Sequence, residues 1–213
     1  MVAKYLRVSL VALTILGMST GAFPQNATRP IPREQAVIRF IPERSRIDFT
    51  LLGFPHITHG SFKLASGIVR IDPATERIDG EIAINADSGD TGGGMRDREM
   101  KKSVLEVDRY PRISFAPQKI ERHGDPHGTF PVRVRGLLLI HGGEHEFPID
   151  ATVIARGDEV TINSRFTVPY VAWGLRDPSI FVFRVNKTVD LDVTLVGRVS
   201  WAIPTAALIG TRR

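Results

Sequence analysis

From about Ala36 onward, apolar and polar residues alternate in short runs rich in β-branched and aromatic side chains. Successive side chains of a strand point to opposite faces, so each run predicts a strand with one buried face. The runs are Ile47-Phe49-Leu51, Ile68 with Ile71, Ile82-Ile84, Ile113-Phe115, Val132-Val134, Phe147-Ile149-Ala151-Val153, Val160-Ile162, Phe166-Val168, Phe181-Phe183-Val185 and Val189-Leu191-Val193-Leu195. The pattern predicts an all-β protein.

Turn signals such as Asp72-Pro73, Gly142-Gly143 and Gly157-Asp158 separate the runs. Their spacing suits an antiparallel meander and leaves no room for the helical crossovers that parallel strands need. Eight or more such strands pack as two sheets or close into a barrel, and the alternation leaves both arrangements open. A barrel of this strand number is filled by side chains or holds one small elongated ligand.

The stretch from Ser88 to Phe115 interrupts the strand pattern once. Three glycines, Gly92 to Gly94, favour a turn, and Asp97 is suited to cap a following helix. We predict a helix over residues 98 to 107 that ends before Tyr110-Pro111. Its apolar positions near one face are Met100, Val104, Leu105 and Val107. The helix is expected to cover the sheet as a lid, which either completes the core or also covers a ligand cavity.

The amino end carries Lys4 and Arg7 before an apolar run from Val8 to Met18, followed by small residues at positions 20 to 22. About 11 apolar residues are too few to span a bilayer, which needs roughly 20, so residues 1 to 22 are interpreted as a cleaved secretory signal. The proline-containing stretch of residues 23 to 35 is predicted to be a flexible leader. We expect a periplasmic or secreted protein without a stable membrane span.

Composition narrows the possible chemistry. The chain has 213 residues, 42% of them hydrophobic, which is sufficient for one domain with a sizeable core. It contains no cysteine, so disulfides, thiol redox chemistry and thiolate metal sites are excluded. Loss of residues 1 to 22 removes Lys4 and Arg7 and no acid, so the net charge of +5 becomes +3. Because the basic residues are interspersed among acids, no nucleic-acid partner is expected.

Several motifs occur in an order that resembles the YceI family of secreted proteins. They are His56-Ile57-Thr58-His59-Gly60-Ser61-Phe62, Gly67 with Ile71-Asp72-Pro73, Arg96-Asp97, Tyr110-Pro111-Arg112-Ile113-Ser114-Phe115, and Gly136 to Gly142. The resemblance covers roughly Val37 to Val199. The chain departs from the family pattern at two positions. Glu99 stands where many members carry a histidine, and Leu139 replaces a common threonine. The run from Val168 to Ser179 looks like a subgroup feature.

This resemblance implies an antiparallel, extended lipocalin-like β-barrel with one short helix lid, occupying residues 36 to 199, with a tail at 200 to 213. It also implies a carrier or sequestering protein for a long-chain isoprenoid, quinone or fatty amphiphile, without catalysis and without a further cofactor. The strand count, the lid and the resemblance together predict a set of ligand-binding residues. They are Phe49, Leu51, His59, Phe62, Ile82, Ile84, Arg96, Asp97, Met100, Leu105, Phe115, Leu138, Phe166, Val168, Trp173, Phe181 and Phe183.

Arg96 and Asp97 have two interpretations. The guanidinium group offers forked donors to an anionic or hydroxyl head group, whereas a salt bridge and helix cap would only fix the lid. The pairs His56 with His59 and His141 with His145 are spaced three and four residues apart, which on a strand does not form a chelate. We therefore expect no metal site, although backbone satisfaction, head-group contact and metal binding all stay open for these histidines.

No acid/base pair or catalytic triad has a recognisable motif spacing. Two other functions are nevertheless considered. One is an enzyme that uses the histidines, with or without a metal. The other is an envelope protein-interaction module whose segment from Pro169 to Ser179, with Tyr170 and Trp173, docks another protein or a second copy to form a homodimer.

Overall fold

The computed structural model describes residues 34–122, 128–180 and 184–202. Most of these residues lie in antiparallel strands, which confirms the all-β prediction. The strands are β1 (Gln35–Phe40), β2 (Arg46–Leu51), β3 (Gly53–Phe54), β4 (Thr58–Asp72), β5 (Arg77–Asp90), β6 (Arg112–Arg122), β7 (Thr129–Ile140), β8 (Gly143–Arg156), β9 (Glu159–Val168), β10 (Arg184–Val185) and β11 (Val189–Ala202). One short helix, α1 (Gly94–Glu99), lies between β5 and β6.

The main sheet closes into a barrel, which decides between the two arrangements that alternation left open. The order β2-β4-β5-β6-β7-β8-β9-β11 is closed by pairing of β11 with β2, from Asp190 opposite Thr50 to Thr194 opposite Arg46. β1 lies in the same position as β2, since it pairs with the far ends of β11 and β4. A single turn of 3₁₀-helix at Pro42–Arg44 separates the two. The barrel therefore has eight strand positions, and closure leaves no exposed edge there.

Alternation along the strands sends apolar side chains inward. In β2, Ile47 and Phe49 are buried, while Arg46 is exposed. In β4, a register shift between Leu64 and Ser66 changes which residues face inward. Phe62 and Leu64 face inward before the shift, whereas Gly67, Val69 and Ile71 do so after it. Ile68, predicted in one run with Ile71, lies on the outer surface as a result.

The lid helix begins earlier than predicted. α1 starts at Gly94 behind Gly93, which forms no side-chain cap, and continues as a wider π-helical turn at Met100–Val104. The predicted range of 98 to 107 and the assignment of Asp97 as the cap are therefore wrong. The carboxylate of Asp97 accepts hydrogen bonds from Thr91 instead. In the π turn, the backbone N–H of Leu105 donates to the carbonyl of Met100 over 2.8 Å.

The ends of the barrel domain lie slightly outside the predicted range of 36 to 199. Gln35 pairs with Ala202, so β1 begins inside the predicted leader and β11 extends three residues into the predicted tail. The signal segment of residues 1 to 22 and most of the leader and tail are outside the described residues. Within the part of the chain that the structure describes, no helix is long and apolar enough to cross a membrane.

Candidate functional site

Two cavities lie inside the barrel, one above the other. The lid cavity, of about 350 Å³, lies beneath α1, and the lower cavity, of about 730 Å³, extends to the opposite end. They share wall residues, which are Ile47, Ile84, Leu138, Phe166 and Val193. Both volumes fall in the range of small-molecule sites. The shared walls make the two cavities neighbouring sections of one interior.

Apolar side chains from the barrel wall and from the cover surround the lid cavity. The wall contributes Phe49, Leu51, Phe62, Ile113, Ile140, Val168, Val189 and Leu191, besides the shared residues. The cover contributes Met100, Val104 and Leu105. Val104 ends the π turn and Leu105 follows it, and both side chains are buried. Their packing turns the helix into a roof over the cavity.

Polar groups of the lid cavity are confined to its outer end. Arg96, Glu99 and Thr91 belong to the lid region, and Thr58 begins β4. Glu99 lies 3.6 Å from Arg176 of a second covering segment. An occupant would therefore meet both a cation and an anion near the mouth and hydrocarbon below it.

Thr91 joins Arg96 to Asp97 and fixes the glycine-rich turn. The Thr91 backbone N–H donates to Oδ1 of Asp97 over 2.9 Å, and the Thr91 hydroxyl donates to the same atom. The Arg96 Nε donates to the Thr91 hydroxyl over 2.7 Å, and Nη2 donates to the Thr91 carbonyl over 2.8 Å. The hydroxyl of Thr91 holds the pKa of Asp97 below its usual range, aided by its backbone N–H and by the charges of Arg96 and Lys101. Asp97 is thus an anchor of the lid, while Arg96 also lines the cavity.

The segment of residues 169 to 179 forms a second part of the cover. Tyr170 and Leu175 are buried and line the lid cavity together with Pro178. The Tyr170 hydroxyl donates to the Asn186 carbonyl over 2.8 Å. Burial, with a smaller contribution from Asp177, raises the pKa of Tyr170 to about 12, so the phenol stays neutral at physiological pH. The side chains of Tyr170 and Leu175 therefore pack inside the protein and are not exposed on its surface.

Two histidines, one in the turn between β7 and β8 and one in β8, contact the cover and the loop after the lid helix. The His145 ring stacks on Trp173, with centroids 4.2 Å apart and planes 6° from parallel. His141 packs against Tyr110, and its Nε2 lies 3.3 Å from a Glu106 carboxylate oxygen without the alignment of a hydrogen bond. These contacts connect β8 to the second covering segment and the turn to the loop after the lid helix. Both residues therefore have structural contacts.

The lower cavity is larger and almost wholly apolar. Its walls include Ile38, Phe40, Val69, Ile78, Ile82, Phe115, Ile120, Val132, Val153, Val160, Ile162 and Leu195. Ser164 is buried there, but its hydroxyl donates to the Asp150 carbonyl over 2.6 Å. Charged residues, Arg122 and Asp158, lie only where β6 ends and β8 turns into β9.

Most predicted site residues do line the interior. The lid cavity is lined by Phe49, Leu51, Phe62, Ile84, Arg96, Met100, Leu105, Leu138, Phe166 and Val168, and the lower cavity also by Ile82 and Phe115. Three do not line either cavity: His59 faces outward with Nδ1 3.1 Å from the Thr50 hydroxyl, Asp97 anchors the turn, and Trp173 stacks on His145. Phe181 and Phe183 lie outside the described residues.

Sequence reasoning missed Tyr170, Leu175 and the walls of the lower cavity below Phe115. Tyr170 and Leu175 lie in a segment without alternation, so no periodic signal marks them. The outward orientation of His59 could have been predicted from the sequence. His59 is three residues from the inward-facing Phe62 on the same strand, and residues an odd number apart on a strand point to opposite faces.

Among the described residues, no group of three or more histidine, aspartate or glutamate side chains is placed to hold a metal ion. His56 and His59 are exposed, and His141 and His145 pack against separate aromatic rings. The predicted histidine pairs are therefore not brought together into one cluster.

Fold and cavities together define an extended lipocalin-like barrel with a helical lid and an apolar interior. The family model of the YceI-like domain matches residues 39–197 of the chain. The protein belongs to this family, and the resemblance drawn from its motifs is confirmed.

The solved structures that share the fold include the following two. One is BcnA of Burkholderia cenocepacia, which is 22% identical, with a TM-score of 0.63, over 74% of this chain and 98% of that chain. The other is a polyisoprenoid binding domain from Saccharophagus degradans implicated in plant cell wall breakdown, which is 16% identical, with a TM-score of 0.61, over 76% of this chain and 98% of that one. A search of curated proteins found no match.

Proposed function

We propose that this protein binds a long-chain isoprenoid, quinone or fatty amphiphile inside the barrel and carries or sequesters it without chemical turnover. One observation carries the proposal: an apolar interior of two adjoining cavities has its charged groups only at the two ends. Such an arrangement suits a molecule with a long hydrocarbon chain and a polar head near the lid. A fold neighbour that is a polyisoprenoid binding domain supports the same class of ligand.

Burial of the chain would supply the affinity. At about 0.8 kcal/mol per buried CH₂, a chain of roughly 15 carbons has a driving force on the order of 12 kcal/mol. Immobilisation of the ligand and ordering of the cover offset part of this. The charged residues of the lid would then discriminate among head groups, since charge is costly to bury without a partner.

We further propose that the protein acts in the cell envelope after removal of residues 1 to 22. The short apolar run behind Lys4 and Arg7 supports this proposal. Amino-terminal sequencing of the exported protein tests it, and a mature chain that begins at Met1 would contradict it.

A binding assay with a fluorescent polyprenyl or fatty-acyl probe tests the main proposal. Phe166 lies in the wall shared by both cavities, so Phe166→Glu should abolish probe binding because its carboxylate would be desolvated without a partner. Ile68→Glu provides the matched control, since Ile68 is exposed on the outer surface and should tolerate the charge. Thermal unfolding must show that both variants fold. Failure of the wild type to bind any amphiphile at micromolar concentration would refute the carrier function.

A further inference from the structure

Exposed apolar side chains lie next to residues that line the lid cavity. On the connection between β2 and β4, Leu52, Phe54 and Ile57 are 40%, 74% and 55% exposed, and Met95 of α1 is 79% exposed. Leu52, Ile57 and Met95 adjoin the cavity-lining residues Leu51, Thr58 and Arg96 in sequence. We name Leu52, Phe54, Ile57 and Met95 the rim. Such a concentration of exposed hydrocarbon on one end of a protein is typical of an interaction surface.

The backbone of the rim is held in position. Gly53 pairs with Val185 and Phe54 with Arg184 in the short β3–β10 ladder. The N–H of Asn186 also donates to the Leu52 carbonyl over 2.8 Å. A Cβ at Gly53 would approach the carbonyl oxygens of Arg184 and His56 to 2.9 Å, so the two chains are closely packed there. The exposed side chains are therefore presented outward by a fixed backbone.

Charges next to the rim favour an anionic partner. Arg98 of α1 and Arg184 opposite Phe54 are exposed, and neither forms an ion pair within the part of the chain that the structure describes. Three nearby acids have cations beside them, which are Arg176 for Glu99, Arg96 and Lys101 for Asp97, and Lys187 for Asp177. Exposed guanidinium groups beside hydrocarbon are suited to lipid phosphates above an acyl layer.

We propose that the rim docks the barrel onto an anionic lipid surface, with the mouth of the lid cavity facing the bilayer. This inference rests on the proposed function, because a long-chain isoprenoid resides in membranes and needs a route to the cavity that avoids water. The apolar rim side chains would enter the interfacial region, while Arg98 and Arg184 contact phosphates. A second copy fits this surface less well, since a two-fold interface centred on the rim would bring the unpaired arginines of both copies together.

Vesicle flotation tests this proposal. The full-length gene is expressed, and the protein is used in the form that the cell produces. Vesicles of phosphatidylcholine with phosphatidylglycerol are compared with vesicles of phosphatidylcholine alone. The wild type should float with the anionic vesicles, and the double variant Phe54→Ser with Ile57→Ser should bind them roughly tenfold or more weakly. Ile68→Ser is the matched control, because it removes an exposed isoleucine from the barrel wall and should float as the wild type does. All variants carry the same amino-terminal segment, so differences among them report on the rim.

Equal flotation of the wild type and the double variant would overturn the docking proposal, as would absence of flotation by the wild type. A wild-type dimer that becomes a monomer in the double variant, without vesicle binding, would show that the rim is a subunit interface and overturn it too. A soluble short-chain acyl probe, measured on the same proteins, separates this result from the proposed function. Retained probe binding with lost flotation supports docking by the rim. Rim-dependent flotation without probe binding by any variant also supports docking, but contradicts the carrier function.

Discussion

The lid cavity and the lower cavity share a wall but differ in what encloses them. Above the lid cavity, α1 and the segment of residues 169 to 179 are held by side-chain contacts such as Thr91 with Asp97 and His145 with Trp173. The lower cavity is enclosed by paired strands of the barrel, with β1 completing the wall. A cover fixed by a few side-chain contacts opens at a smaller free-energy cost than a closed ladder of backbone hydrogen bonds. We infer that ligands enter under the cover.

The two cavities also differ in the chemistry of the residues that line them. Arg96 and Glu99 both line the lid cavity, whereas the walls of the larger lower cavity are hydrocarbon as far as Arg122 and Asp158. The free energy of apolar burial is proportional to the buried area and depends little on the chemical structure of the ligand. Charged groups, in contrast, discriminate between ligands of different charge. The lower cavity should therefore determine affinity through chain length, and the lid cavity should determine which head group is accepted.

Narrowing the lower cavity should produce the largest effect. Ala151 is buried and lines that cavity, so Ala151→Leu places three additional carbons where the ligand chain would lie. We expect affinity for a long-chain probe to fall by roughly 2 kcal/mol, about 30-fold, while a short-chain probe binds as before. Titration with probes of two chain lengths measures this. The adjacent Thr152→Leu faces solvent and provides the control. Equal loss for both chain lengths would remove the distinction between the cavities.

Removal of the lid guanidinium should have a smaller and more selective effect. Nε and Nη2 of Arg96 are engaged by Thr91, which orients the side chain at the mouth. We expect Arg96→Ala to weaken binding of a phosphorylated head by about 1.5 kcal/mol and to leave a neutral head almost unaffected. Competition between the two ligands gives the ratio directly. Lys102→Ala, in the adjoining π turn but outside the cavity lining, removes an exposed cation and serves as control. A loss that does not depend on head-group charge would argue against a discriminating role for the lid cavity.

Loosening the lid anchor should have the smallest effect on affinity. Because the folded-state pKa of Asp97 lies below its ordinary value, the anchor is intact at neutral pH and is lost only as the pH falls through that lowered pKa. Asp97→Asn should release ligand a few-fold faster at neutral pH, and the wild type should approach this rate under acid conditions. Stopped-flow release from pH 7 downward tests both expectations. Asp108→Asn alters an exposed acid of the following loop and should match the wild type at neutral pH. An unchanged release rate in the Asp97 variant would show that Thr91 and Asp97 do not limit opening.

The sequence predicted the barrel wall more successfully than the cover, for a physical reason. A strand with one buried face imposes a period of two, and the Ile47-Phe49-Leu51 run places Phe49 and Leu51 in the lid cavity as expected. Closure itself depends on pairing of β11 with β2, residues that are distant in the chain, which alternation does not encode. In β4, the change in which residues face inward after Leu64 arises from a local register shift, and alternation did not predict it either.

The cover was harder to predict because its contacts have no period. Aspartate is a residue type that often caps a helix. In this structure, however, the Asp97 carboxylate accepts a hydrogen bond from Thr91, and α1 starts at Gly94 without a side-chain cap. Tyr170 and Leu175 become buried through tertiary packing of an irregular segment. Family resemblance identified Arg96 and Asp97 together, but only the structure separates the cavity-lining residue from the anchor.

Mass spectrometry of an organic extract tests the central claim most directly. The untagged protein should be purified from the cell envelope without detergent and extracted beside the Phe166→Glu variant prepared in the same way. We expect the wild-type extract to contain a long-chain isoprenoid, quinone or fatty amphiphile in near-stoichiometric amount, and the variant extract to lack it. A wild-type extract free of any such molecule, from a folded protein that also takes up no added amphiphile, would contradict the carrier function.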